Sequence, residues 1–161
     1  MSLPLGSQHR AAPEEGPEDW HGFWIGQQPT LSLWITYLER RGRDEEGWHL
    51  FRAEAAAPGF KALFDFESQL GEFGVFRNQL LAMHKTLQGE AHFGSTESNV
   101  LVDGTMDRFG HVFWSATLRS PRSGEVFSEL KFSIQEDQTL LWNIAAKIGD
   151  MFEALGIEEY S

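Results

Sequence analysis

The sequence predicts an α+β domain. Its expected frame is a twisted, mainly antiparallel β-sheet of about eight strands with two packed helices, in the order ββββ-α-ββββ-α. Three observations predict it. Short runs alternate apolar and polar residues with period two. Turn signals interrupt them about every 8–12 residues, too closely for βαβ crossovers. Two longer stretches instead repeat their apolar residues at spacings of three and four.

The elements follow in order. His21-Gly22-Phe23-Trp24-Ile25-Gly26 reads as a short strand, and Gln27-Gln28-Pro29 turns the chain. From Leu31 to Leu38, Leu31, Leu33, Ile35 and Tyr37 share one face. The charged run from Glu39 to Gly47 fits a solvated hairpin tip. Trp48 to Ala57 is the third strand. Pro58-Gly59 then turns into a fourth, where Phe60, Ala62, Phe64 and Phe66 alternate with Lys61, Leu63, Asp65 and Glu67.

The first helix is expected over residues 71–88. Phe73, Phe76, Leu80, Met83 and Leu87 fall on one face, and Gly89 is the expected left-handed stop. Burying each of those side chains is worth roughly 1.5–3 kcal/mol, so the helix is expected to dock on the sheet. Strands are then expected at Glu90 to Gly94, Asn99 to Met106, Gly110 to Ser120 and Glu125 to Gln135. The turns Asp107-Arg108-Phe109-Gly110 and Pro121-Arg122-Ser123-Gly124 punctuate them. In the last strand Val126, Ser128, Leu130, Phe132 and Ile134 share a face. Asp137 is a fitting N-cap for the second helix. Its stripe is Leu141, Ile144, Ala145, Ile148, Met151, Phe152 and Leu155, and Gly156 ends it. The four-strands-then-helix order occurs twice.

The 161 residues suffice for one domain with a substantial core, expected over residues 20–161. Residues 1–19, with Pro4, Pro13 and Pro17, read as a flexible arm. The absence of cysteine excludes disulfides and thiolate chemistry. The first residues do not read as a signal peptide, and no apolar run approaches the roughly 18 residues of a spanning helix. The expected location is therefore cytoplasmic.

Thirteen Lys and Arg against 24 Asp and Glu leave a net charge of −11. That sign argues against direct contact with nucleic acid or an anionic membrane. It suits solubility, and it suits a basic protein partner drawn in electrostatically.

No constellation is a reaction centre, and no cofactor is implied. There is no G-x-S-x-G elbow. Gly71-Glu72-Phe73-Gly74 lacks the Lys and Ser/Thr of a phosphate loop. The best enzymatic alternative is a metal-dependent enzyme or ligand-binding domain using His92, Glu97, Asp107 and His111, with Asp103 nearby. Against it, none of these pairs has the tight spacing of helix- or finger-type sites. His111 suits a strand-start histidine, Glu97 an ion pair with Arg108 or Arg119, and Glu129 with Lys131 a solvated sheet face. Trp20, Trp24, Trp34 and Trp48 divide between core and exposed interface anchors in a way the sequence leaves open.

A set of short motifs adds a resemblance. Phe76-x-x-Gln79-Leu80 leads through Leu87-x-Gly89-x-Ala91 into a strand. Glu97, Val100, Val102, Asp107 and Gly110-His111-Val112 follow. Leu130-Lys131-Phe132 and Asp137-Gln138-Thr139-Leu140 complete the series. In this order, over roughly residues 64–141, they resemble the WapI-type toxin-immunity proteins. The chain departs from the pattern at His84, Lys131 and Leu141. The resemblance implies a cytoplasmic, non-enzymatic protein that neutralises a bacterial toxin domain, in the type member a nuclease, by non-covalent binding. Acidic positions Glu97, Asp103, Asp107 and Glu129 are the candidate partner-binding residues. An orphan interaction module and a homodimer through a strand edge remain as alternatives.

Overall fold

Alternation sets the second half of the chain. Along β7, Val112, Trp114, Ala116 and Leu118 are buried while His111, Phe113, Ser115 and Thr117 face outward. The same period marks β5 and β6, whereas β1 and β2 bury consecutive residues, in a computed structural model that describes residues 21–40 and 47–157. The strands are β1 (Gly22–Gln28), β2 (Leu31–Arg40), β3 (Trp48–Ala57), β4 (Phe60–Gln69), β5 (Glu90–Gly94), β6 (Val100–Met106), β7 (His111–Arg119) and β8 (Glu129–Asp137). The helices are α1 (Leu70–Thr86) and α2 (Thr139–Ala154). The expected arm at residues 1–19, Trp20 and the hairpin tip at 41–46 lie outside the described residues.

The eight strands divide into two antiparallel sheets of four, β1-β2-β3-β4 and β5-β6-β7-β8, each in sequence order and each followed by a helix. The helix after β4 makes this division. β4 runs into α1 without a loop, and the chain then enters the second sheet as β5. Both sheets turn one face to a shared core. Phe23 of β1 meets Phe73 and Phe76 of α1 and Phe93 of β5 at ring-centroid distances of 5.9–6.3 Å. Phe51 stacks on Phe73 at 4.5 Å. Phe76 meets Trp114 edge-on at 6.0 Å. Pairs of this kind contribute about 0.5–1.5 kcal/mol each beyond their buried area. Leu141, Ile144, Ala145, Ile148, Met151 and Phe152 of α2 complete the same core.

One close approach explains a glycine that alternation alone does not. Gly104 pairs with Trp114 across β6 and β7, and the indole lies over the glycine. A Cβ there would sit 2.4 Å from Trp114 Cζ3. Only a residue without a side chain admits the ring.

A half-buried carboxylate ties the sheets together. Glu136, near the end of β8, accepts the Gly26 N–H of β1 through Oε2 at 2.9 Å. It accepts the Trp114 indole N–H through Oε1 at 3.1 Å. Burial pushes its carboxyl above the usual range, and the two donors oppose that shift without cancelling it.

Helix ends depart from expectation in instructive ways. Leu87 fits the apolar stripe by number but is 54% exposed. It, not Gly89, takes the left-handed C-cap of α1, with φ 59° and its N–H bonded to the Met83 carbonyl. Gly89, at φ 107°, then sets the entry into β5. The second helix ends as its sequence suggests. Gly156 N–H bonds the Glu153 carbonyl and Ile157 N–H the Phe152 carbonyl, a Schellman closure with Gly156 at φ 69°. Asp137 remains in β8, yet its carboxylate still accepts the Thr139 N–H and is held below its usual pKa by that bond. The last strand begins at Glu129 and not Glu125. Ser123 and Val126 close a small turn on themselves, which leaves Val126 and Phe127 outside the strand and exposed.

Candidate functional site

The outer face of the second sheet carries most of the residues that the sequence singles out. Register aligns them in rows. His92, Asp103, Ser115 and Ser133 form one row. Leu101, Thr117 and Lys131 form the next, and Arg119 lies opposite Glu129 beyond it. At the other end His111 lies opposite Asp137.

Three of the four acidic candidates are already engaged. Asp103 bonds His92 Nδ1 across the β5–β6 pair, and Glu90 lies 3.4 Å from His92 Nε2. The Asp103 bond, with a smaller contribution from Glu90, raises the His92 pKa above its ordinary value. Asp107 organises the β6–β7 turn. Its Oδ1 accepts the N–H groups of Phe109 and His111 at 2.8 and 2.9 Å, and its Oδ2 lies 3.1 Å from His111 Nδ1. The His111 and Phe109 amides lower its pKa, with the His111 ring adding to them. Glu129 pairs with Arg119 at 2.7 Å and lies 3.8 Å from Lys131. Those cations, Arg119 first, lower its pKa.

Glu97 is the exception. The sequence suggests an ion pair with Arg108 or Arg119, but Arg119 faces Glu129 and Arg108 lies over the Phe109 ring. Among the described residues Glu97 has no ion-pair partner. It sits in the β5–β6 turn, where Ser95 Oγ accepts the Val100 N–H at 3.0 Å. Thr96 beside it bonds back to the first sheet. Thr96 Oγ1 accepts the Gln69 N–H at 2.9 Å, and Thr96 N–H reaches Ser68 Oγ at 3.1 Å.

The residues considered as metal ligands do not converge. His92 belongs to the Asp103 pair, whereas His111 and Asp107 form a separate pair at the hairpin turn. His111 stands four residues along β7 from the row of His92, roughly 13 Å at strand rise. Among the described residues no three His, Asp or Glu side chains are grouped so as to hold a metal ion.

The seam between the sheets holds a cleft of about 690 Å³. Leu50, Asp65, Phe66 and Glu67 come from β3 and β4, and Glu97, Ser98 and Asn99 from the β5–β6 turn. Arg119, Arg122, Phe127 and Glu129 come from the β7–β8 hairpin and its loop. Four carboxylates thus face two guanidinium groups. Asp65 is paired with Arg52 at 2.8 Å, and Arg122 lies over the Phe127 ring at 4.9 Å. Glu67, like Glu97, has no ion-pair partner among the described residues. Glu67, Arg122 and Phe127 carry no local motif. They meet through pairing between segments 30 to 60 residues apart, which no spacing rule reads. The exposed row of Phe109, His111 and Phe113, with centroids 6.4–6.5 Å apart, is likewise visible only once β7 is seen to face outward.

This surface has a family context. The pattern of the immunity protein WapI-like family matches residues 17–156, most of the chain. The chain belongs to that family. The match extends well beyond the region that the short motifs cover, taking in the whole first sheet. No curated protein and no solved structure matches the chain. As a WapI-like immunity protein it is a toxin's partner and not an enzyme. Among the described residues no helix is long and apolar enough to cross a membrane.

Proposed function

We propose that this WapI-like protein neutralises a toxin domain by stoichiometric, non-covalent binding, and that the domain it covers is cationic, as the nucleic-acid site of a nuclease is. The observation that carries the reading is the family match over residues 17–156, joined to a net charge of −11. An inhibitor that only binds needs no reacting group, and the polar clusters above are engaged in turns and cross-strand pairs. A nuclease must hold polyanions, so its working surface is basic. An acidic protein is drawn to such a surface and competes there with nucleic acid. On this reading the encounter takes place in the cytoplasm.

Co-expression tests it. Cells carrying the toxin domain encoded beside this chain are expected to survive only when the chain is present, with the two proteins purifying together. Survival without the chain, or killing that it does not relieve, rejects the proposal.

A further inference from the structure

We infer that the cleft between the two sheets is the part of the surface that grips the toxin, and that it receives a cationic loop carrying an Arg or Lys. This deepens the neutralisation reading and rests on it. The charge balance of the cleft selects the occupant. Asp65 and Glu129 have their cations within the protein, at Arg52 and Arg119. Glu67 and Glu97 have none among the described residues, yet both line the cleft. Against these two carboxylates the cleft sets Arg122, which lies over the Phe127 ring, and the excess of carboxylates over guanidinium groups in its lining favours the arrival of a cation from outside.

Their position is fixed by the fold. Glu67 precedes Ser68 and Glu97 follows Thr96, and Ser68 and Thr96 are bonded through both a hydroxyl pair at 3.2 Å and the Thr96 amide. One carboxylate belongs to each sheet's segment, and this clamp fixes the two stretches of backbone that carry them. A site pinned in this way gives up little freedom on binding. Leu50 adds apolar wall for the methylene stem of a long cationic side chain. Phe127, 45% exposed and with the Arg122 guanidinium over its ring at 4.9 Å, lines the same cleft. The volume matches that of a ligand pocket, but the walls are charged where small-molecule sites are mostly apolar. A protein loop, with peptide groups and a charged tip, fits them better.

The test measures affinity of the full chain for the catalytically inactivated toxin domain encoded beside it, by calorimetry at two salt concentrations. The double variant Glu67→Lys with Glu97→Lys is compared with Asp150→Lys with Glu153→Lys, which makes the same charge change on exposed positions of α2. Neither pair has an ion-pair partner to lose among the described residues, and thermal melts confirm that both variants are folded. The cleft variant is expected to weaken binding roughly 100-fold and to flatten its salt dependence, while the α2 variant changes it less than about fivefold. Equal losses in both variants, or near wild-type affinity in the cleft variant, overturn the cleft while leaving neutralisation intact. A wild-type homodimer that the cleft variant dissolves assigns the cleft to a second copy and also overturns it. Failure of the wild-type chain to bind the toxin at all removes both readings.

Discussion

Replacing Glu136 by Ala would leave two donors, the Gly26 N–H and the Trp114 indole N–H, without their acceptor. A buried donor left unsatisfied costs about 1–3 kcal/mol. Two such losses are partly offset because the native carboxylate is itself strained by burial, as its raised pKa records. A small space of about 20 Å³ beside Glu136, lined by Trp24, Asn143 and Lys147 among others, admits at most one water. The net expectation is a loss of about 2–3 kcal/mol. At this chain length that lowers the Tm by about 4–12 °C. The pH dependence carries a second signature. Because the folded pKa lies above the unfolded one, the native state holds the extra proton between them. Glu136 therefore makes stability fall as pH rises from the ordinary carboxylate value through the folded pKa, and level off above it. Urea melts at half-unit pH steps would read both effects. The alanine variant should lose stability at neutral pH and also lose that sloping segment. Glu136→Gln keeps the shape but offers one acceptor to two donors, so it should fall between wild type and Ala at neutral pH. Neutral-pH stability within about 0.5 kcal/mol of wild type for Glu136→Ala would refute the bridging role.

Three further outcomes follow from named contacts. His92 should titrate above 6.5 by NMR and return toward that value in Asp103→Asn. The stability it adds is full below 6.5 and fades as pH rises through its folded pKa. Gly104→Ala drives a methyl group into the Trp114 ring and should cost about 1–3 kcal/mol in urea melts, with an altered indole environment in near-UV circular dichroism. Leu87→Gly should gain about 0.5–1 kcal/mol, because the exposed leucine occupies a left-handed conformation that glycine adopts freely.

The order of elements is legible because each carries its own period. Phe73, Phe76, Leu80 and Met83 announce α1 from sequence alone and are all buried. What stays hidden is how the segments meet. Nothing in one dimension says that α1 splits eight strands into two sheets or that Ser68 will bond Thr96. Leu87 fits the helical stripe by number, yet the chain leaves the helix at that residue and turns it to solvent. Val126 and Phe127 have the composition of a strand, but the Ser123–Val126 bridge closes the loop before β8 begins. The candidate site shows the same limit. Asp103, Asp107 and Glu129 stand out as acidic residues, and only the fold reveals that each is held by a neighbour. Glu97 stands out in the sequence too, whereas Glu67, which lines the same cleft, does not. The two are 30 positions apart and are brought to one cleft by a contact between sheets.

Whether neutralisation is binding alone is tested most directly by titrating a fixed amount of purified toxin domain with this chain and following the toxin's activity. Stoichiometric binding predicts a linear fall to zero at one chain per toxin. Full loss of activity at a small fraction of an equivalent would mean that each chain disarms many toxin molecules, and would contradict the account.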